Sequence, residues 1–117
     1  MYTGRPYIKL FEDLSCTKEV GVDVLGNYVT TCQIISGISD IDFKRRIYVK
    51  NVGSHKAFNV KIIAMFDDSD VITEFNYRTI KPNEVAELDL TIPIKKGQNM
   101  TKVLNYTLEY DCLPWVQ

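Results

Sequence analysis

Apolar and polar residues alternate with a period of two along most of this chain, the pattern of strands with one buried and one solvated face. Ala86, Leu88, Leu90, Ile92 and Ile94 alternate with Glu87, Asp89, Thr91 and Pro93, and Leu104, Tyr106, Leu108, Tyr110 and Cys112 with Asn105, Thr107, Glu109 and Asp111. Between Arg46 and Phe66 two such stretches, Ile47/Val49 and Phe58/Val60/Ile62/Ala64/Phe66, flank the polar connection Asn51 to Lys56, which predicts a strand pair. Tyr7 to Phe11 reads as a first strand. Val20–Leu25 and Tyr28–Ile35 read as a hairpin around Gly26-Asn27, a dipeptide suited to a two-residue turn. Val71, Thr73, Phe75 and Tyr77 share one face of a further strand.

Between these runs, Ser36 to Asp42 has the composition of a loop with Ile38 or Ile41 as an apolar plug, and Lys44 opens the next strand. Thr79 to Glu84 is a turn containing Pro82, and Pro93 requires an edge or a bulge. About eight strands result, with no window of helical period. The expected architecture is an all-β antiparallel sandwich, with a small barrel as the alternative.

Composition narrows the class. A chain of 117 residues is one domain with room for one core. Fourteen Lys+Arg against 15 Asp+Glu leave a formal charge of −1, which supplies none of the basic field that nucleic-acid binding draws on. No apolar run reaches the roughly 18 residues of a membrane span. Met1 to Pro6 has neither the basic nor the apolar region of a signal peptide, so none is expected. The three cysteines, Cys16, Cys32 and Cys112, lack C-x-x-C spacing. They are expected to be reduced, with Cys32 and Cys112 as small core residues; a Cys16–Cys32 or Cys32–Cys112 bridge is the alternative.

Candidate chemistry is sparse. His55 is the only histidine and falls in a polar turn, so any histidine-dependent catalysis would have to use it. Asp67, Asp68 and Asp70 cluster on a turn where calcium is conceivable, without the glycine and distal glutamate of an EF-hand loop. Lys44-Arg45-Arg46 reads as a charged strand end guarding against unwanted pairing, or as a site for an anion or a partner's carboxylate. Asp67, Asp70, Glu74, Glu87 and Glu109 would form a hydrolytic pair only by converging in space. No phosphate-binding glycine motif occurs. The sequence predicts no enzyme, no cofactor and no resident metal.

Val49-Lys50-Asn51-Val52-Gly53, Ala57-Phe58-Asn59-Val60 and Ile80-Lys81-Pro82-Asn83-Glu84 resemble the "V-x-N-x-G", "A-x-N-V" and "L-x-P-x-E" segments of CARDB-type immunoglobulin-like domains. The likeness covers the C-terminal two thirds; residues 1 to 43 have no part in it, and Asn83 stands where the family more often has glycine. It implies an immunoglobulin-like sandwich of 7–8 strands over residues 7–112, with arms at 1–6 and 113–117. Such domains serve as adhesion, spacer or docking modules, and a copy with free cysteines and no signal peptide resembles structural proteins of tailed phages. The expected function is therefore non-catalytic: a virion component assembled in the host cytoplasm, for capsid decoration, neck or tail. Its partners would be proteins, including copies of itself, met through Tyr2, Arg5, Pro6, Tyr7, Leu113 and Trp115; nucleic acid and membrane are not expected. The alternative is a cell-surface adhesion or carbohydrate-binding module using Tyr28, Tyr48 and Tyr77.

Overall fold

The alternating runs become strands, and their apolar faces decide how the strands stack. The computed structural model describes residues 4–66, 71–97 and 99–112. Seven strands follow in order: β1 (Ile8–Phe11), β2 (Tyr28–Ile35), β3 (Ile41–Asn51), β4 (Ala57–Phe66), β5 (Val71–Ile80), β6 (Val85–Ile94) and β7 (Asn99–Asp111). All pairings are antiparallel, giving a three-stranded sheet β1-β3-β6 and a four-stranded sheet β2-β7-β4-β5. Leu10, Ile47, Val49, Leu88 and Leu90 of the first sheet share one core with Ile34, Val60, Ile62, Leu104 and Tyr106 of the second. Each such side chain, fully withdrawn from water, contributes about 1.5–3 kcal/mol. The protein is an all-β antiparallel sandwich. Pro93 stands opposite Asp42 on β6, an edge strand, where its missing N–H costs no ladder bond.

The hairpin expected at Val20–Leu25 does not form. Asp23 captures the chain first: its carboxylate accepts the N–H groups of Leu25 and Asn27 at 2.9 and 3.0 Å, and its own N–H donates to the Asn27 carbonyl at 2.9 Å. The turn thus spans Asp23 to Asn27, with Gly26 at φ 87°, a conformation open to glycine at little cost. Only the single bridge Val22↔Tyr28 remains of the ladder. The segment closes the side of the sandwich instead, because Val20 N–H donates to Leu10 of β1 and Val29 N–H of β2 to Gly21, both at 2.9 Å.

Neither Ile38 nor Ile41 is a plug. The 36–40 loop spends its hydrogen bonds on the neighbouring 95–97 turn, through Ser36 Oγ to Lys95 O (2.7 Å), Lys96 N–H to Asp40 Oδ1 (2.8 Å) and Gly97 N–H to Gly37 O (2.9 Å). Ile38 is left 98% exposed and Ile41 exposed. The strand also opens at Ile41 rather than Lys44, since Ile41 and Phe43 find Ile94 and Ile92 opposite them on β6.

All three cysteines are free thiols. Cys32 is buried as expected, but Cys112 is exposed, because β7 ends at Asp111 opposite Phe58 and the chain has by then passed its last pairing. Asn59 and Asn83, both from the resembling segments, have φ of 52° and 66°, the left-handed region asparagine tolerates better than most residues. Asn59 lies in the register break between Phe58 and Lys61, where β4 bulges away from β7.

Candidate functional site

Two places combine exposed groups with a defined frame: the end of the sandwich where the chain enters, and the side between β1 and β2. At the first, Asn51 is fully buried at the last position of β3. Its Oδ1 accepts the N–H groups of Tyr7 (3.1 Å) and Gly53 (3.0 Å), while its Nδ2 donates to the carbonyls of His55 (2.7 Å) and Ile80 (2.9 Å). A single side chain so joins the entering chain, the 52–56 turn and the end of β5. Val52 N–H to Tyr7 O (2.8 Å), Ser54 N–H to Arg5 O (3.0 Å) and Gly4 N–H to Ser54 Oγ (3.2 Å) complete the attachment.

Of the residues singled out for contact, Pro6 is therefore buried against its own sandwich, and Arg5 is anchored by its carbonyl while its side chain stays exposed. Tyr7 is half-buried, with the Lys9 ammonium 5.5 Å from its ring centroid, beside a shallow groove of about 240 Å³ shared with Lys9, Val52 and Gly53. Tyr2, Leu113 and Trp115 lie outside the described residues, as do Asp67, Asp68 and Asp70. The pairing Phe58↔Asp111 puts the described C-terminus at this same end.

His55 is exposed; its Nδ1 lies 3.2 Å from Ser54 Oγ, and its carbonyl serves Asn51. Among the described residues no three His, Cys, Asp or Glu side chains gather as a metal site would require.

The second place is set by the shortness of β1. Its four residues cover β3 only from Tyr48 to Asn51. Beyond Phe11 the chain turns away, because Asp13 accepts the N–H groups of Thr17 and Lys18 and the Thr17 hydroxyl, and the Glu12 N–H donates to Lys18 O at 2.8 Å. These bonds, that of the Thr17 hydroxyl foremost, hold the Asp13 carboxyl below its ordinary value of 3.8. The sign follows: a carboxyl whose pKa is lowered in the fold supports the loop above the ordinary value and releases it as pH falls through the lowered one. Amide shifts of Thr17 and Lys18 followed by NMR on acidification should titrate together with a midpoint below 3.8; no coupled transition there would mean the carboxylate is not the anchor.

On the uncovered part of β3, parity rather than charge decides direction. Arg45 falls in phase with Phe43, Ile47 and Val49, so it points inward, unlike its neighbours Lys44 and Arg46. Its guanidinium meets Glu12 Oε1 at 2.6 Å with its side chain 28% exposed, and Glu12 also takes Lys18 at 3.2 Å. The charge reaches the opposite sheet: it opposes, in part, the rise that burial imposes on the Cys32 thiol and the Tyr106 phenol. Beside it the hydroxyls of Thr30 and Tyr106 are buried without a well-formed hydrogen bond among the described residues. The Thr30 and Arg45 side chains lie close enough to the Tyr106 phenol to draw its pKa down without reaching good hydrogen-bond geometry, and removing so poorly partnered a buried hydroxyl relieves most of its desolvation cost. Tyr106→Phe is thus expected to leave stability unchanged or raise it by up to about 1 kcal/mol in urea denaturation; a loss of that size would show the hydroxyl to be bonded.

On the outer face, Lys44, Arg46, Asp89 and Thr91 line an open groove of about 470 Å³. Arg46 is held by Asp89, 2.6 Å from Nε and 3.4 Å from Nη2, whereas Lys44 has no ion pair among the described residues. Large apolar side chains stand in water on both loops that flank β2. Val24 and Leu25 occupy the 23–27 turn, Ile38 the 36–40 loop, and Ile35 the end of the strand itself; Leu14 adds a fifth on the Asp13 loop. The sequence marked Ile38 as a plug and put Val24 and Leu25 in a strand; their exposure could have been read only from Asp23, whose side chain relocates the turn.

Comparison of the chain with protein-family models and with curated proteins finds no match to either.

Proposed function

We propose that this chain is a non-catalytic interaction module that works by protein–protein contact within a larger assembly, a tailed-phage virion put together in the host cytoplasm being the setting implied by the CARDB-like resemblance. One observation carries the reading: Val24 is fully exposed, Ile38 98% and Leu25 82% exposed, all on loops bracketing one edge strand. A partner that covered them would recover about 1.5–3 kcal/mol per side chain, and apolar groups held out on short, hydrogen-bonded turns lose little freedom when they are covered. The surface pair Arg5 and Tyr7 is a second contact candidate, since Arg and Tyr are the residues on which interfaces most depend.

The carbohydrate alternative has less support. Tyr28 and Tyr77 are half-buried against the core and spend their hydroxyls on Glu19 Oε2 (2.9 Å) and the Glu87 carbonyl (2.7 Å). Burial first, and then the bond to Glu19, push the Tyr28 phenol well above its ordinary value, the state of a committed donor.

The test is incorporation. Val24→Ser, Leu25→Ser and Ile38→Ser combined should leave a folded chain of unchanged melting temperature that no longer co-sediments with the native assembly. Unchanged co-sedimentation of that variant and of Arg5→Ala would overturn the reading. Deleting residues 1–6 is a poorer test, because Pro6 is buried and Arg5 O is bonded to Ser54.

A further inference from the structure

The side of the sandwich between β1 and β2 is closed in one half and open in the other. Glu19 to Val22 stitches β1 to β2 beside Leu10, Phe11, Tyr28 and Val29. β1 ends at Phe11, opposite Tyr48, and among the described residues nothing pairs with β3 on that side from Ile41 to Ile47. Which backbone groups this edge presents follows from parity. Leu10 O accepts from Val20, so Leu10 turns its backbone away from β3, and Val49 opposite it bonds β6. The β3–β6 register runs from Ile41 to Lys50 without a break, so the odd positions bond β6, while Asp42, Lys44 and Arg46 offer their N–H and C=O groups to the opening.

The even positions also carry the charges. Asp40, Asp42, Lys44 and Arg46 follow one another at a spacing of two, and all four are exposed. Their charges cancel, and their order, two negative and then two positive, is antisymmetric about Phe43. Asp40 accepts the Lys96 N–H and Arg46 is held by Asp89, so the outer two are already engaged. The inner two are not: Pro93 stands opposite Asp42 on β6 and Thr91 opposite Lys44, and neither charge has an ion pair among the described residues.

A pattern antisymmetric about one residue is complementary to itself when a copy is laid antiparallel about that residue, which is the condition for a two-fold interface. With the axis at Phe43, Asp42 of each copy faces Lys44 of the other, and both members of each pair turn their backbone groups into the opening, as a hydrogen-bonded pair requires. Phe43 meets its counterpart in a non-hydrogen-bonded pair, where side chains come closest and two aromatic rings favour the pairing. The added strand runs from Arg46 to Asp40 and so stops short of β1 at Tyr48. Moving the axis to Asp42 or Lys44 keeps the hydrogen bonds but sets that residue opposite its own like charge. The β2 edge across the opening holds no such code, since its exposed Thr31, Gln33 and Ile35 are uncharged.

We propose that the open edge of β3 pairs with the same edge of a second copy of this chain, antiparallel about a two-fold axis at Phe43, with Asp42 and Lys44 forming reciprocal ion pairs. This rests on the reading of the chain as a protein-contact module and names one partner and the register in which it is met.

Sedimentation equilibrium of the full chain from about 10 μM to about 1 mM should show a reversible dimer. Over that range the amides of Asp42, Lys44 and Arg46 should gain protection from exchange, while those of Phe43 and Arg45, already bonded to β6, should not change. Asp42→Lys and Lys44→Asp are surface changes that should each weaken dimerisation at least about tenfold without altering the melting temperature. Mixed in equal amounts, the two variants should form a heterodimer as tight as the native dimer, because every facing pair again joins a lysine to an aspartate. A monomer near 1 mM, protection on another strand, either variant dimerising like the native chain, or a mixture that stays monomeric would overturn the proposal. The two readings fail separately. If the native chain is monomeric while the Val24/Leu25/Ile38 variant is lost from the assembly, the pairing falls and the contact reading stands; a dimer coded as above in a chain whose loop and Arg5 variants are incorporated normally does the reverse.

Discussion

Asn51→Ala is expected to destabilise the protein by about 3 kcal/mol, the largest loss of any single polar substitution in the described structure. The side chain satisfies four backbone groups: the N–H of Tyr7 and of Gly53, and the carbonyls of His55 and Ile80. An alanine in a fully buried position takes that partner from all four at once. A net hydrogen bond is worth about 1 kcal/mol, but a buried group stranded by mutation costs its desolvation as well. Asn51→Asp keeps the acceptor and forfeits both donations, so at neutral pH it should be no better than alanine. Urea denaturation of both variants checks this; a loss below about 1 kcal/mol for Asn51→Ala would mean that the hub is dispensable.

Gly53→Ala should cost about 2 kcal/mol and unseat the entering chain. A Cβ on Gly53 would lie 2.5 Å from both Arg5 O and Tyr7 N and 2.7 Å from the Pro6 carbonyl carbon. These are backbone atoms fixed by the bonds to Val52, Ser54 and Asn51, so no flexible side chain can yield. Either the 52–54 turn shifts or residues 4–7 lift away, and Val52 N–H and Ser54 N–H lose their acceptors. The amides of Tyr7, Val52 and Ser54 should then exchange with deuterium much faster than in the native chain, while amide protection in β4, β6 and β7 is kept. Unchanged exchange at these amides with unchanged stability would show that the turn adapts.

These two residues also mark where reading the sequence reaches its end. Val49-Lys50-Asn51-Val52-Gly53 is legible as a strand passing into a turn, and Asn83 is legible as a substitute for glycine at positive φ, because both follow from local backbone preference. What Asn51 does is not local: two of its partners, Tyr7 and Ile80, lie 44 and 29 residues away. Gly53 looks like an ordinary turn glycine until the backbone of Arg5 to Tyr7 is seen lying across it. Arg45 is an intermediate case. By charge it groups with Lys44 and Arg46, yet its phase with Phe43, Ile47 and Val49 places it on the core face, and alternation is the better guide.

The contact residues were the least legible part. Exposure of Val24, Leu25 and Ile38 depends on which carbonyls and amides their turns bond, and Asp23 and the 95–97 segment decide that by competing with a hairpin and with burial. Arg5, Pro6 and Tyr7 stand out by residue type near a terminus alone, and the structure has Pro6 buried and Arg5 tied down by its carbonyl.

From the sequence alone came the strand content, the antiparallel class, the inward faces of β6, β7 and β4 from Val60 onward and the edge position of Pro93, because side-chain direction in a strand repeats every two residues and hydrophobic burial selects one face; at the start of β4 the bulge at Asn59 breaks that repeat and puts Ala57, not Phe58, in the core. Only the tertiary structure decided which strands are neighbours, that β1 stops short and leaves β3 open from Ile41 to Ile47, and that one buried asparagine ties three distant segments together. Those features arise from pairings between residues far apart in the chain, and a periodicity that is local carries no record of them.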